Sequence, residues 1–273
     1  MGNCSVILVT YNSEPFIQKA MDALLAQTVA PSHIVIVDTG SKERGYLEKY
    51  QACATLLFEK PQAGFCRGNN TGYQALFPRT KYVLLLNPDA FLTPCFIERA
   101  IAKMEEHPSC GALTGQTLGF DLANDRPSGF YDTTGIFSTW YGKWYDRDQG
   151  LPVGKALEPQ KIPAICGALY FCRKKALDEV VIRGNEVFDS SFYMYKEDID
   201  LSLRMRKKGW DLWFFPDLIA YHCRGWNPDR RKVPKSLRMC SAKNEWKLQL
   251  RQKHVPGLIY SSLKLLAVKM LNR

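Results

Sequence analysis

The amino-acid sequence predicts an α/β protein with a Rossmann-like, mostly parallel central sheet flanked by helices. In the first half of the chain, short apolar runs alternate with segments whose apolar residues recur at helical spacing. This alternation is typical of parallel sheets that carry helices on both faces. After about residue 116 the periodicity weakens, and the sequence predicts a smaller antiparallel portion followed by C-terminal helices.

Four strands are predicted in the first half, each as an apolar run bounded by turn residues. They cover residues 5–10, 33–38, 55–58 and 82–86. The last run ends in Asn87-Pro88-Asp89, and because proline has no N–H to offer a neighbouring strand, the strand is expected to stop there. Asp89 is therefore predicted to lie at the carboxyl end of a central strand.

Two segments between these strands carry helix signals. Ser13 or Glu14 is expected to open the first helix, with Pro15 at a position that a first turn tolerates. Residues 64–72 are rich in glycine and asparagine and predict a loop that leads into a helix. Such a loop resembles a phosphate cradle. A plain helix cap is the alternative, because asparagine and glycine are ordinary cap residues.

The second half predicts fewer regular elements, and its most basic segments lie near the C-terminus. Pro216 is expected to close the last predicted strand. The predicted elements are loops and short strands over 118–160, strands over 165–172 and 210–215, a helix over 198–208, and basic amphipathic helices over 235–252 and 257–271.

Composition narrows the class of protein. The formal net charge of +10 indicates an anionic partner such as a nucleic acid, a nucleotide or a phospholipid surface. No helix-turn-helix, zinc-finger or RNP-like signature is present, which argues against nucleic acid as the partner. The nine cysteines lack zinc-ligand spacing, and an odd number fits reduced thiols in the cytosol. Neither a secretory signal nor an apolar stretch of the roughly 20 residues that span a bilayer is visible.

Polar clusters follow the predicted strands at the points where the strands end. Because the carboxyl ends of parallel strands share one sheet edge, these clusters are expected to line one crevice that suits a nucleotide. A carboxylate at Asp89 suits a divalent cation that bridges phosphates. A solvated aspartate in a turn is the alternative. The clusters are Thr10-Tyr11-Asn12, Asp38-Thr39-Gly40-Ser41 and Asn87-Pro88-Asp89.

A series of short motifs runs along the chain from residue 5 to about 225. The motifs are Val9-Thr10-Tyr11-Asn12, Asp38-Thr39-Gly40-Ser41, the segment 64–72, Leu86-Asn87-Pro88-Asp89, Cys166-Gly167-Ala168, the segment 195–201 and Tyr221-His222. In this order they resemble family 2 glycosyltransferases, most of all their rhamnosyltransferase-like branch. The resemblance implies a glycosyltransferase A fold, a nucleotide-diphosphate sugar as donor, a divalent cation (manganese or magnesium) and an inverting reaction.

The resemblance implies roles for residues around the donor and the metal. Asp89 resembles the last acid of the Asp-x-Asp metal motif, in which Asn87 here replaces the first acid. His222 resembles the histidine that completes the metal or diphosphate site, and Asp38 resembles the acid that contacts the base and ribose. The set expected around the donor nucleotide is Thr10, Tyr11, Asn12, Asp38, Ser41, Gly64, Arg67, Asn70 and Asn87.

On the acceptor side, Asp198 resembles the general base, with Glu197 beside it. A carboxylate there suits removal of the proton from an acceptor hydroxyl. Negative charge that simply favours the first turn of a helix is the alternative. The other expectations are acceptor binding by Cys166, Gly167, Ala168, Trp140 and Trp144, and a diphosphate lid with Arg224 and Trp226. For the tryptophans, a small core beneath the loop is the alternative.

These expectations divide the chain into a catalytic domain over 1–232 and a basic helical segment over 233–273. The domain has a nucleotide-sugar-binding half (1–115) and an acceptor-binding half (116–232). The expected activity transfers a sugar, from dTDP-rhamnose first and a UDP-sugar second, to a glycan or lipid-linked acceptor in bacterial cell-surface polysaccharide synthesis. A catalytically inactive scaffold, suggested by Asn87, and a nucleic-acid-binding protein are the alternatives.

The basic C-terminal helices also predict a location. Basic amphipathic helices lie in the membrane interface and are attracted to anionic lipid. A cytoplasmic enzyme, peripheral on the inner face of the cell membrane, is therefore expected. Packing of the helices on the catalytic core or on a second subunit is the alternative.

Overall fold

The computed structural model describes residues 3–223 and 233–270, and a ten-stranded sheet forms its centre. The strands are β1 (Cys4–Thr10), β2 (His33–Asp38), β3 (Thr55–Phe58), β4 (Tyr82–Leu86), β5 (Ala90–Leu92), β6 (Cys110–Asp121), β7 (Arg126–Thr133), β8 (Ile136–Ser138), β9 (Trp144–Asp146), β10 (Gln160–Lys161), β11 (Leu169–Arg173) and β12 (Asp211–His222). The helices are α1 (Ile17–Leu25), α2 (Gly64–Gln74), α3 (Phe96–Glu106), α4 (Lys174–Asp178), α5 (Glu197–Lys207), α6 (Lys235–Gln252) and α7 (Val255–Met270).

The sheet is mostly parallel, as predicted. Its order is β10-β12-β6-β11-β4-β1-β2-β3, with β5 paired to β12 and β7 paired to β6. Strands β3, β2, β1 and β4 run parallel, and β6 and β12 are parallel to each other. β11 is antiparallel to both β4 and β6. β8 and β9 form a separate two-stranded antiparallel sheet.

The central strands form because both of their faces are buried. Every residue of β1, β2 and β4 is buried. Alternate residues of β1 enter two cores: Val6 and Leu8 pack with α1 and α3, whereas Ile7 and Val9 pack with α2 and α5. Full burial of each such side chain contributes roughly 1.5–3 kcal/mol. Helices on both faces of the sheet therefore confirm the predicted α/β class.

Three predicted element boundaries were wrong. The first helix begins at Ile17, because residues 13–16 form a preceding turn. The strand expected over 165–172 begins only at Leu169. β12 continues through Pro216 to His222, because a register irregularity between Phe214 and Ile219 accommodates the proline.

The C-terminal helices pack on the rest of the protein. Leu248 of α6 joins an apolar cluster with Ile199 of α5. The side chain of Gln249 donates to the carbonyl of Gly142, and Gly142 lies against Gly257 of α7. β6 runs across residues 115 and 116, so the two predicted halves of the catalytic domain share one sheet.

Candidate active site

One edge of the sheet collects the polar residues that follow the strands. β1, β2 and β4 end there in register. β11 runs in the opposite direction, so its first residue, Leu169, pairs with Leu86 at the same edge. The segment after β4 therefore meets the segment before β11, and the N–H of Asn87 donates to the carbonyl of Ala168 (3.1 Å).

His222 lies between two carboxylates at this edge. Its Nε2 is 3.2 Å from Oδ1 of Asp89, and its Nδ1 is 2.9 Å from Oδ2 of Asp132. Burial lowers the pKa of His222, but the negative charges of Asp89 and Asp132 outweigh burial and raise the pKa to about 9. Asp132 on β7 thus orients the ring so that Nε2 faces Asp89, as outer carboxylates do for metal-binding histidines.

The predicted metal residues come together as a pair. Asp89 and His222 contact each other directly, and Asn87 lies two residues before Asp89 with a half-buried side chain. Over residues 3–223 and 233–270, no three His, Cys, Asp or Glu side chains are arranged to hold a metal ion. A cation at this position would therefore take the rest of its ligands from another source.

Asp38 is fully buried at the end of β2, and its own loop uses its carboxylate. It accepts hydrogen bonds from the N–H groups of Gly40 (3.0 Å) and Ser41 (3.1 Å) and from the Ser41 hydroxyl. The guanidinium of Arg44 lies 3.0 Å away, and the Thr10 hydroxyl lies 3.4 Å away. Asp38 thus orders the loop after β2, and contact with a nucleotide would require exchange of one of these partners.

The residues after β1 connect to the same loop. Asn12 has a left-handed backbone (φ 48°), its N–H donates to the Ser41 hydroxyl (2.7 Å), and its Oδ1 accepts from the N–H of Lys42 (2.9 Å). The neighbouring Tyr11 is 55% exposed. The loops after β1 and β2 are therefore joined, and the Tyr11 ring remains open for stacking.

The glycine-rich segment 64–72 is a helix rather than the predicted loop. A Cβ atom at Gly64 would collide with the Tyr193 ring, and one at Gly68 would collide with Val9 of β1. The glycines therefore let α2 approach the sheet and the loop that contains Tyr193 closely. The exposed side chain of Arg67 lies in the first turn.

Asn70 of α2, predicted to contact the donor, bonds through its amide to residues 187–190. Its Oδ1 accepts from the N–H groups of Val187 and Phe188, at 3.0 and 2.9 Å. Its Nδ2 donates to the Phe188 carbonyl and to the Ser190 hydroxyl, at 2.8 and 3.2 Å. These four bonds use both donors and both acceptor positions of the amide.

Asp198 begins α5 together with Glu197, and the two side chains differ. Asp198 is half-buried and accepts hydrogen bonds from the N–H of Gly167 (3.0 Å) and from its neighbour Ile199 (2.8 Å). Burial raises the pKa of the Asp198 carboxyl. Glu197 is buried, and burial followed by the charge of Asp198 raises its pKa well above the usual range. Among the described residues, no group hydrogen-bonds its Oε2.

The backbone just before this pair is strained. Tyr193 has φ 63° and ψ −62°, and the N–H of Met194 donates to the carbonyl of Phe192 (2.7 Å), which makes a γ-turn of the rare, positive-φ form. Tyr195 and Lys196 also have positive φ, at 68° and 71°. Such conformations cost on the order of 1–3 kcal/mol each and cluster at functional sites.

The predicted acceptor residues divide into buried and exposed groups. Cys166 and Ala168 are buried in an apolar cluster with Trp144 packed against it. Their side chains therefore support the site from beneath, and the backbone of segment 166–168 faces Asn87 and Asp198. Trp140, in the turn between β8 and β9, is 81% exposed. Its neighbour Tyr141 makes a ring contact with Tyr260 of α7.

Two predicted lid residues, Arg224 and Trp226, lie outside the described residues. Asp132, by contrast, was missed. It lies in a segment of weak periodicity, and its partner His222 is far away in sequence. A carboxylate that touches the site only through a distant histidine leaves no local pattern.

Comparisons with known proteins were made by sequence and by structure. A model described as "Glycosyl transferase family 2" matches residues 5–181. Among curated proteins, the chain is 23% identical over 249 residues to N-acetylglucosaminyl-diphospho-decaprenol L-rhamnosyltransferase of Mycobacterium tuberculosis. That match covers 80% of this chain and 75% of the relative.

Solved structures share the fold at low sequence identity. GalNAc-T7 with UDP, GalNAc and Mn²⁺ superposes with a TM-score of 0.67 at 14% identity, covering 91% of this chain and 48% of that chain. TarS 1–349 of S. aureus in complex with UDP gives 0.52 at 17% identity, covering 89% and 65%. The chain thus spans about half of GalNAc-T7 and 65% of that TarS fragment. Both are glycosyltransferase A folds, which confirms the predicted fold.

Proposed function

The chain belongs to glycosyl transferase family 2, and from this premise we propose that it is an active inverting glycosyltransferase that uses a nucleotide-diphosphate sugar. One observation carries the proposal. The segment before β11 joins two neighbourhoods, because the Ala168 carbonyl accepts from the N–H of Asn87 and the Gly167 N–H donates to Asp198. The same short stretch of backbone therefore links the candidate base to the turn that carries Asp89, the partner of His222.

In the proposed reaction, a hydroxyl oxygen of the acceptor attacks the anomeric carbon opposite the diphosphate. Asp198 accepts the hydroxyl proton, the new C–O bond forms as the bond to the diphosphate oxygen breaks, and the nucleotide diphosphate leaves with the electron pair. A single displacement inverts the configuration. The raised pKa of Asp198 suits this task, because a more basic carboxylate takes the proton more readily.

Asp89 and His222 would hold a divalent cation, manganese or magnesium. When bound, such a cation neutralises charge that develops on the diphosphate. The residues fit this group, because Asp132 fixes the imidazole with Nε2 turned toward Asp89. One imidazole beside carboxylate suits manganese at least as well as magnesium. Asn87 can offer an amide oxygen where the family motif has an acid, and diphosphate oxygens would complete the ligand set.

We propose dTDP-rhamnose as the donor and a UDP-sugar as the second candidate. The Mycobacterium tuberculosis relative is named as an L-rhamnosyltransferase, whereas both solved structures contain UDP. The exposed Tyr11 offers a face for the base, beside the linked loops of Asn12 and Ser41. Arg67 at the start of α2 offers a positive charge to the diphosphate. In this proposal residues 1–115 bind the donor and 116–232 bind the acceptor.

A panel of nucleotide sugars, scored by thermal shift with and without Mn²⁺, tests the donor. Ligand that binds the native state raises the melting temperature by mass action. We expect the largest shift with dTDP-rhamnose plus Mn²⁺, and a smaller shift in the Asp89→Ala variant. No shift with any nucleotide sugar, together with no donor hydrolysis, would support the inactive scaffold instead.

The proposed acceptor is a glycan or lipid-linked sugar, met at the inner face of the cell membrane. In the part of the chain that the structure describes, no helix combines the length and the hydrophobicity that a membrane crossing requires. α7 nevertheless exposes an apolar stripe at helical spacing, with Lys253 and Lys269 nearby. The stripe consists of Val255, Ile259, Leu263, Leu266 and Met270, each 52–77% exposed. Apolar side chains beside basic ones suit the surface of an anionic bilayer.

Vesicle binding tests this location. Ile259→Asp with Leu263→Asp should reduce cosedimentation with phosphatidylglycerol vesicles by on the order of tenfold, since both apolar burial and lipid attraction fall. Leu151→Asp, at an exposed apolar residue outside α7, is the matched control. Equal cosedimentation of both variants would contradict the proposal, and loss of a dimer in the α7 variant alone would assign the stripe to a second subunit.

A further inference from the structure

One face of α6 contacts the segment that carries the candidate base. Cys240, Asn244, Lys247 and Arg251 lie at helical spacing and all contact residues 189–200. Lys247 hydrogen-bonds to the Ser191 hydroxyl, and Arg251 pairs with both Asp189 and Asp200. α6 is therefore joined to the start of α5 by polar contacts along its length.

Asn244 makes the most specific of these contacts. Its Nδ2 donates to the carbonyls of Phe192 (2.7 Å), Met194 (2.8 Å) and Tyr195 (2.9 Å), and its side chain is buried. One turn earlier, the Cys240 thiol points at two of the same carbonyls. The γ-turn and the left-handed residues turn these carbonyls toward one point, where they repel one another unless a donor lies between them.

We propose that Asn244 is a positioning residue of the transferase: its amide holds the strained segment 192–196 in the one conformation that aims Asp198 at the acceptor. This inference rests on the proposed function, because Asn244 acts through Asp198. α5 starts at Glu197, directly after the segment, so the direction of its first turn follows from the backbone at Tyr195 and Lys196. Without the amide, the three carbonyls lose the donor that they share, and for Phe192 and Met194 only the weaker Cys240 thiol remains in its place, so the segment relaxes away from positive φ.

The chemistry of the amide makes the role testable with an isosteric change. The orientation with Oδ1 toward the carbonyls would set four acceptors against each other, so the NH₂ group must face them. Asn244→Asp keeps the shape and replaces the donor by an acceptor. Asn244→Ala removes both the shape of the side chain and the donor. Glu245→Gln is the matched control, since the neighbouring Glu245 is equally buried on α6 but pairs with Lys264 of α7.

The experiment measures turnover of dTDP-rhamnose and backbone hydrogen exchange in the full chain. Asn244→Asp and Asn244→Ala should each lower kcat by on the order of 10–100-fold with the donor KM changed less than about threefold, since misplacement of a catalytic group lowers the rate rather than donor affinity. Peptides covering 192–200 should exchange faster. Glu245→Gln should lower Tm while kcat stays within about twofold and exchange of 192–200 is unchanged.

A second substitution separates positioning from simple loss of stability. Lys196→Gly places glycine at a left-handed residue, where glycine adopts the conformation without strain. In the Asn244→Ala background it should return exchange of 192–200 toward the wild-type rate. A mere packing defect on α6 would not respond to a change in the loop.

Two results overturn the inference: unchanged exchange of 192–200 in both Asn244 variants, or an equal loss of kcat in Glu245→Gln. The exchange measurement does not depend on the donor. It therefore tests whether Asn244 holds the segment 192–196 even if dTDP-rhamnose is not turned over. Turnover by the wild type and by the Asp198→Asn variant separates a failure of the proposed function from a failure of the role of Asn244. If the wild-type protein turns over no nucleotide sugar, the proposed function fails; if Asp198→Asn is fully active, the role of Asp198 as the base fails; if Asp198→Asn is inactive while both Asn244 variants behave as wild type, only the role of Asn244 fails.

Discussion

The two chemical groups of the site are held in different ways. Asp89 lies in the turn between β4 and β5 and faces His222, the last residue of β12, so strands of one sheet position the proposed metal side. Asp198 follows a strained segment that α6 holds from outside the sheet. Both sides use contacts between distant segments, but the residues of the proposed metal side lie outside the positive-φ backbone, whereas the proposed base follows three residues with positive φ that α6 must hold.

The largest effect is expected from loss of the Asp89 carboxylate on the metal side. Asp89→Ala should abolish metal-dependent transfer, because it removes the one carboxylate of the proposed site and leaves a cation only the His222 imidazole and the neutral amide of Asn87. The fold should persist, because Asp89 is partly exposed and His222 keeps its bond to Asp132. Donor turnover across a Mn²⁺ titration, together with the melting temperature, measures both parts. Undiminished turnover in this variant would remove Asp89 from the site.

The next largest effect is expected when the proposed base, Asp198, loses its basicity. Asp198→Asn preserves the shape of the side chain but not its basicity, and should lower kcat by a factor on the order of 10²–10⁴, with donor affinity little changed. Glu197→Gln is the matched comparison, because it alters the neighbouring carboxyl that lies in the interior. A crippling Glu197→Gln with a mild Asp198→Asn would exchange their roles.

A smaller effect is expected from Asp132, which orients the imidazole on the metal side. Asp132→Asn should weaken Mn²⁺ affinity by roughly 10–100-fold, the usual result when an outer carboxylate of a metal-binding histidine is lost. Saturating Mn²⁺ should restore most of the turnover, since Asp89 and His222 remain. If saturating metal gives no recovery, Asp132 has a role beyond orienting the imidazole.

The smallest effect concerns how the activity depends on pH through the proposed base, Asp198. The base acts only when deprotonated, and burial raises the pKa of Asp198 above the ordinary value of roughly 3.9. Activity should therefore fall as the pH is lowered, and the fall should begin at a higher pH than for a solvent-exposed aspartate. The acid limb of kcat/KM at saturating metal measures this. An acid limb at or below the ordinary aspartate value would contradict the assignment.

The same contrast explains which features could be predicted from sequence. Strands β2, β3 and β4 were predicted to the residue, because each is a local apolar run with a turn signal behind it. The shared edge of β1, β2 and β4 followed from parallel topology, but the approach of the segment before β11 to Asn87 did not, because β11 runs in the opposite direction. Local signals misled where tertiary structure prevailed: Pro216 lies in a register irregularity of β12, and the glycines of α2 make a flat helix face against the sheet.

The contacts that the sequence does not reveal join distant segments. Asp132 pairs with His222, and Asn244 bonds to the backbone at Phe192, Met194 and Tyr195. Carbonyls carry no side-chain signal, so even a complete list of motifs would not have pointed to Asn244. The matched family region also ends at residue 181, before α5 and α6 begin.

The reversed direction of β11 has a consequence for how such enzymes can diverge. Because its first residues lie at the site, the chain reaches the site through the irregular region that contains β8, β9 and β10. In the proposed function, insertions or deletions in that region would change the surface offered to an acceptor while the register of β11 on β4 is kept. One residue added between Gly167 and Leu169 is different, since either Gly167 would lose its bond to Asp198 or β11 would shift by one residue, which would turn each of its side chains to the opposite face. New acceptor specificities would therefore evolve upstream of this short segment.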